Sequence, residues 1–204
     1  MTLTVGFDLD MTLVDSRDGI VETMTAAIGH YGVTADRDRL WELLGHPLRF
    51  TLGHWLADHQ LDEAVERYRR EYLVSAVPRT STLPGAQESF AAVRELGGRV
   101  VVVSAKLSDA VAAVLGHVGL VPDEVIGDLF GEAKGTALRE HHASVYVGDH
   151  VGDVHGARAA GATSVVVLTG PNDRATLEQA GADVILEDLR GFPAWLRGHV
   201  SAVA

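Results

Sequence analysis

The chain has 204 residues, no cysteine and a formal net charge of −11. That size is one ordinary domain, or one domain with a small insert, and the missing cysteines exclude a disulfide framework, a thiolate zinc site and a cysteine nucleophile. The acidic balance argues against a nucleic-acid partner, while leaving room for a small phosphorylated substrate whose charge is met locally by a metal and one or two cations. Met1 runs straight into a strand with no basic or apolar leader, which predicts a cytoplasmic protein. No apolar run approaches the ~18 residues that span a bilayer, so no membrane partner is expected. Nothing in the composition sets an oligomeric state.

The first predicted strand is short and apolar, and it ends in Asp8-Leu9-Asp10. Residues i and i+2 of an extended segment share a face, so two carboxylates meet where the strand opens into a loop. Such a pair repels unless a cation or a proton intervenes, and hard oxygen ligands suit Mg2+. Asp15 and Ser16 are N-cap candidates for a helix from about 16 to 31, which Gly32 stops. Leu40, Leu43 and Leu44 predict a second helix, Pro47 opens a third, and a fourth, amphipathic helix covers about 62–76. Phe50, Trp55, Tyr68 and Tyr72 fall at helical spacing and are expected in the core of this helical block.

From Pro78 the chain alternates helices with continuous apolar strands: 99–104, 124–127, 144–148, 163–168 and 183–186. That alternation predicts an α/β fold, a three-layer Rossmann-like parallel sheet covered on both faces. Residues 16–77 would then be a small all-helical cap inserted after the first strand, with 1–15 and 78–204 forming the catalytic core. Ligands of such sheets bind beyond the carboxyl ends of the strands. Three predicted strands end there in polar groups: Asp8, Ser104 and Gly148-Asp149. Lysine is scarce, with only Lys106 and Lys134 against fifteen arginines, so each lysine is informative.

GFDLDMTLVDS, the strand ending VVVSAK, the downstream Lys134 and VGDHVGDVHGARAAGA together resemble the four motifs of the haloacid dehalogenase-like superfamily. The closest likeness is to its phosphoglycolate-phosphatase-like branch with a helical cap. The resemblance implies a Mg2+-dependent hydrolysis of a small phosphorylated metabolite through an aspartyl-phosphate. In it Asp8 is the nucleophile and Asp10 the general acid and base. Ser104 and the backbone N–H groups at Leu9 and Ala105 hold phosphate oxygens. Lys134, or its rival Lys106, neutralises the phosphoryl group. Asp8, the main-chain carbonyl of Asp10, Asp149 and Asp153 surround the Mg2+, Asp153 through water or as an orienting group. Asp153 can alternatively be no more than a helix N-terminal charge. His46 and Arg49 match the cap's substrate turn, where Arg49 either clamps an anion or sits on the surface.

The chain departs from the family pattern at Met11, usually glycine, which is expected to narrow the mouth or reach the substrate. It departs again at Ala105, where asparagine is common, and at Gly135, which follows Lys134 in place of the usual proline. A dehalogenase is disfavoured by Asp10, and a Schiff-base phosphonate hydrolase by the absence of lysine from 16–77. A sugar-phosphate mutase and a catalytically silent binding relative remain as alternatives.

Overall fold

The computed structural model describes residues 3–203. Its sheet is built from β1 (Thr4–Phe7), β4 (Arg99–Val103), β5 (Glu124–Ile126), β6 (Val145–Gly148), β7 (Thr163–Val167) and β8 (Val184–Leu186). The order is β5-β4-β1-β6-β7-β8 and every pairing is parallel. β1 lies in the middle, and its four residues are all buried. Its neighbours β4 and β6 each contribute four consecutive buried residues, as expected for strands covered on both faces.

Helices α5 (Ala86–Glu95), α6 (Ser108–Val118), α7 (Lys134–Glu140), α8 (Val151–Ala160), α9 (Arg174–Ala180) and α10 (Phe192–Val203) alternate with these strands. The apolar interior divides across the sheet. Phe7 packs against Phe90 and Phe192 on one side, with ring centroids 5.4 Å apart in each pair. Leu138, Tyr146 and Ala157 fill the other.

Between β1 and α5 lies a helical insert: α1 (Arg17–Gly29), α2 (Arg37–Glu42), α3 (Leu48–Leu52) and α4 (Asp58–Glu71), which runs on into a π-helical turn, Tyr72–Ala76. The chain enters and leaves this insert through two short antiparallel strands, β2 (Val14–Asp15) and β3 (Ser81–Thr82). The sequence pattern predicts neither strand, because two-residue strands carry no periodicity. α4 also starts four residues before the expected position. Gln60 accounts for this, its side chain reaching back to the Ala57 N–H to close the first turn. Phe50, expected in the core of the insert, is 52% exposed.

Candidate active site

β1 delivers Asp8 to the carboxyl edge of the sheet, and β6 delivers Asp149 beside it. α8 starts directly after β6 and turns Asp153 back toward both. These three carboxylates are buried, and one oxygen of each lies within 4.8 Å of the others. The local sequence explains the tight turn. His150 Nδ1 accepts the Gly152 N–H at 3.0 Å and Asp153 Oδ2 accepts the His150 N–H at 3.0 Å, so the helix starts at Val151 rather than at the expected Asp153. Gly148 is required here, since the Asp153 carboxylate occupies the place of any Cβ. Gly170, on the loop after β7, leaves room for Asp149 in the same way.

Lys134, at the start of α7, reaches into the cluster. Its Nζ lies 2.8 Å from Asp8 Oδ1, 2.7 Å from Asp153 Oδ1 and 2.9 Å from the Tyr146 hydroxyl. Tyr146 donates in turn to the Val103 carbonyl at 2.8 Å, which ties the lysine to β4. Burial works against the ammonium, yet Asp153 and Asp8 outweigh it and hold the Lys134 pKa well above the ordinary lysine value. Both Asp153 oxygens are thus taken by protein donors, so this residue anchors Lys134 and the β6–α8 turn.

The other two carboxylates are less well compensated. Burial, partly offset by Lys134, raises Asp8 from 3.8 to about 7. Burial and then the charges of Asp153 and Asp8 push Asp149 well up, against the hydrogen bond from Thr12 at 2.9 Å. A site built of hard oxygens, and short of positive charge, has the donor set a small divalent cation needs. Asp8 and Asp149 would be its direct ligands, with Asp153 behind them.

A pH dependence follows. The native Asp8 keeps its proton between about pH 4 and about pH 7, whereas the unfolded chain has lost it. Asp8 therefore makes the metal-free protein less stable as pH rises through that window. Cation binding must displace the same proton. Calorimetric titration with Mg2+ between about pH 5 and about pH 8 should show affinity rising with pH, by roughly tenfold per unit or more below about pH 7, because Asp149 as well as Asp8 gives up a proton to the cation.

Asp10 takes a different position. Its carboxylate lies outside the three-carboxylate cluster, and Oδ1 accepts from Ser16 Oγ at 2.7 Å and from Lys106 Nζ at 2.8 Å. Lys106 also donates to the Tyr72 hydroxyl at 2.7 Å and sits 4.0 Å from the centre of that ring. The two lysines are thus divided between the two aspartates of the opening motif. Ser104 is 1% exposed and its Oγ accepts the Lys106 N–H at 3.3 Å. Leu9 has a fully buried side chain, so only its backbone can face a ligand.

Asp8, Asp10, Ser104, Ala105, Lys134 and Asp153 line a small inner chamber together with Gly45, Phe130 and His150. His46 and Arg49 are not in its wall. Both face a larger outer chamber, where His46 Nδ1 lies 3.2 Å from the Leu43 carbonyl and Arg49 is ion-paired with Asp62. A two-point clamp by Arg49 on a substrate requires that pair to open.

Met11 has φ +57, the left-handed region that explains why glycine is usual there. Its side chain is 5% exposed and packs in the core, so it neither narrows the mouth nor reaches substrate. The left-handed backbone costs about 1–2 kcal/mol, a cost that burying a methionine side chain, about 1.5–3 kcal/mol, offsets.

Thr12, Tyr146, His150 and Phe130 also belong to the site, beyond the residues that the motifs mark. Thr12 alone carried a signal, standing two residues beyond Asp10. The others depend on long-range packing.

The pattern of the haloacid dehalogenase-like hydrolases matches residues 5–158. Over 214 residues the chain is 30% identical to the phosphoglycolate phosphatase of Chromobacterium violaceum, covering 91% of this chain and 92% of that one. It is also 30% identical over 178 residues to the tyrosine-protein kinase PtkA of Mycobacterium tuberculosis. That match covers 80% of this chain, which spans only 61% of PtkA's length. Among solved structures, a haloacid dehalogenase-like family hydrolase from Streptococcus pneumoniae superposes with a TM-score of 0.85 at 22% identity, covering 96% of this chain and 98% of that one. At that identity the likeness concerns the fold.

Proposed function

The chain belongs to the haloacid dehalogenase-like hydrolase family, and from that premise we propose that it is a Mg2+-dependent phosphatase of a small phosphomonoester, working through an aspartyl-phosphate. One observation carries the reading. Asp8, ending the central strand, is buried 2.8 Å from the Lys134 ammonium and shares a cluster with Asp149 and Asp153.

In this mechanism an Asp8 oxygen attacks phosphorus from one side while the bond to the leaving alcohol oxygen breaks on the other. Asp10 delivers a proton to that oxygen, and the alcohol departs. Asp10 then takes a proton from water as the water attacks the same phosphorus, releasing inorganic phosphate and restoring the Asp8 carboxylate. Ser104 Oγ and the backbone N–H groups at Leu9 and Ala105 hold phosphoryl oxygens. Lys134 stays fixed on Asp153 and meets the charge that shifts between Asp8 and the phosphoryl group. A bound Mg2+ supplies further positive charge to the phosphoryl oxygens and to Asp8. The helical insert serves as a cap over the inner chamber, limiting water around the reacting group.

Phosphoglycolate is the benchmark substrate, because relatives carry that name. Phosphate release should depend on Mg2+ and stop with a chelator. Enzyme quenched in acid during turnover should carry hydroxylamine-labile phosphate on Asp8. Release that is indifferent to Mg2+, or phosphate delivered to an alcohol acceptor in preference to water, would defeat this assignment.

A further inference from the structure

The inner chamber shares Asp10, Gly45 and Ala105 with an outer chamber of about 620 Å3 between the insert and the loop after β4. This volume lies within the ~300–1,000 Å3 range of sites that enclose a molecule of ring size or larger. A two-carbon alcohol such as glycolate fills little of it. The walls are apolar over much of their extent, with Ile20, Met24, Leu43, Leu44, Val65 and Tyr68 contributing. Burying an apolar body against them is favourable, and a small polar one gains nothing there.

The charges around this chamber are the second observation. Its carboxylates are Asp10, Asp62, Glu66, Asp109 and Asp128. Its cations are Arg49, Arg69 and Lys106, so with Asp10 ionised five formal negative charges face three positive ones, a balance of −2, and with Asp10 carrying the proton it delivers the balance is still negative, at −1. Each cation is already engaged: Arg49 by Asp62, Arg69 by Glu66 at 3.0 Å, and Lys106 by Asp10 at 2.8 Å. Asp109 and Asp128 have no such partner among the ion pairs of the described residues. A divalent cation at Asp8 and Asp149 compensates the inner chamber and adds nothing to this outer rim.

We propose that the outer chamber selects a phosphomonoester whose alcohol part is apolar, of ring size or larger, and neutral or cationic, and that it disfavours an alcohol ending in a carboxylate. The proposal rests on the phosphatase reading and narrows it. Phosphoglycolate, small and carboxylated, is on this view a poor substrate.

The test is a matched series with one ring and one tether: phenyl phosphate, 4-(aminomethyl)phenyl phosphate and 4-(carboxymethyl)phenyl phosphate, beside phosphoglycolate. The first two should exceed the last two in kcat/KM by roughly fivefold or more, the scale of one unit charge at close range in a wet site. The difference should sit mainly in KM and shrink at high salt. The double variant D109N/D128N should raise kcat/KM for the carboxymethyl ester relative to the phenyl ester. Asn is well suited to position 128, where φ is +61. Equal or better turnover of phosphoglycolate or the carboxymethyl ester overturns the proposal. Absence of turnover for every ester overturns the phosphatase reading instead. Calorimetry with 4-hydroxybenzylamine and 4-hydroxyphenylacetate then still decides the chamber's preference, and tighter binding of the carboxylate rejects it.

Discussion

Replacing Asp8 by Asn should lower Mg2+-dependent phosphate release by roughly a thousandfold or more while leaving the protein folded. The amide keeps the volume of the side chain and removes the attacking oxygen anion, so acid-quenched enzyme should no longer carry labile phosphate. The stability readout separates this from misfolding. In the native protein burial holds the Asp8 pKa at about 7, above its unfolded value of 3.8, so the native fold disfavours the ionised form. Above about pH 7 the metal-free variant should therefore melt no lower than the parent, and this relative gain should disappear as pH falls toward about 4. A variant that melts well below the parent at every pH would mean that Asp8 is a structural member of the Lys134 network rather than the reacting group.

Lys134→Met should do the reverse, damaging fold and function together. Nζ bridges Asp8, Asp153 and Tyr146, and the lysine is only 3% exposed. Its removal leaves buried carboxylates without their counter-charge, a loss of roughly 3–5 kcal/mol. For a chain of this length that amounts to roughly 10 °C in Tm. Mg2+ should stabilise this variant by more than it stabilises the parent, because a cation at Asp8 and Asp149 answers the same excess of negative charge. Thermal melts with and without Mg2+ check both statements. An unchanged Tm in metal-free buffer would show that the carboxylates lose their charge instead of their partner.

The division of labour between the two lysines shows where one-dimensional reading ends. Lys134 is singled out by the family resemblance, with Lys106 as its rival. Lys106 looks like an ordinary loop residue beyond Ser104, and only the fold brings Tyr72 of the insert and Asp10 of β1's loop to it. Tyr146 is similar. As sequence it is one member of a buried strand, yet its hydroxyl meets Lys134, Asp153 and the Val103 carbonyl. For Arg49 the sequence leaves an anion clamp and a surface position both open, and the fold places it in the wall of the outer chamber, paired with Asp62.

By itself the sequence determined the parallel sheet, because runs such as Val100–Val103 can only be stable when buried on both faces. It also determined that acidic chemistry gathers at one edge, since parallel strands all present their carboxyl ends on the same side. The tertiary structure decided everything that depends on contact across the chain: the short β2–β3 pair, the Thr12–Asp149 bond, the pairing of each lysine, and the shape and charge of the outer chamber. Periodicity records which face of an element is buried. What that face touches is set by packing among elements far apart in the chain, and the substrate preference lies there.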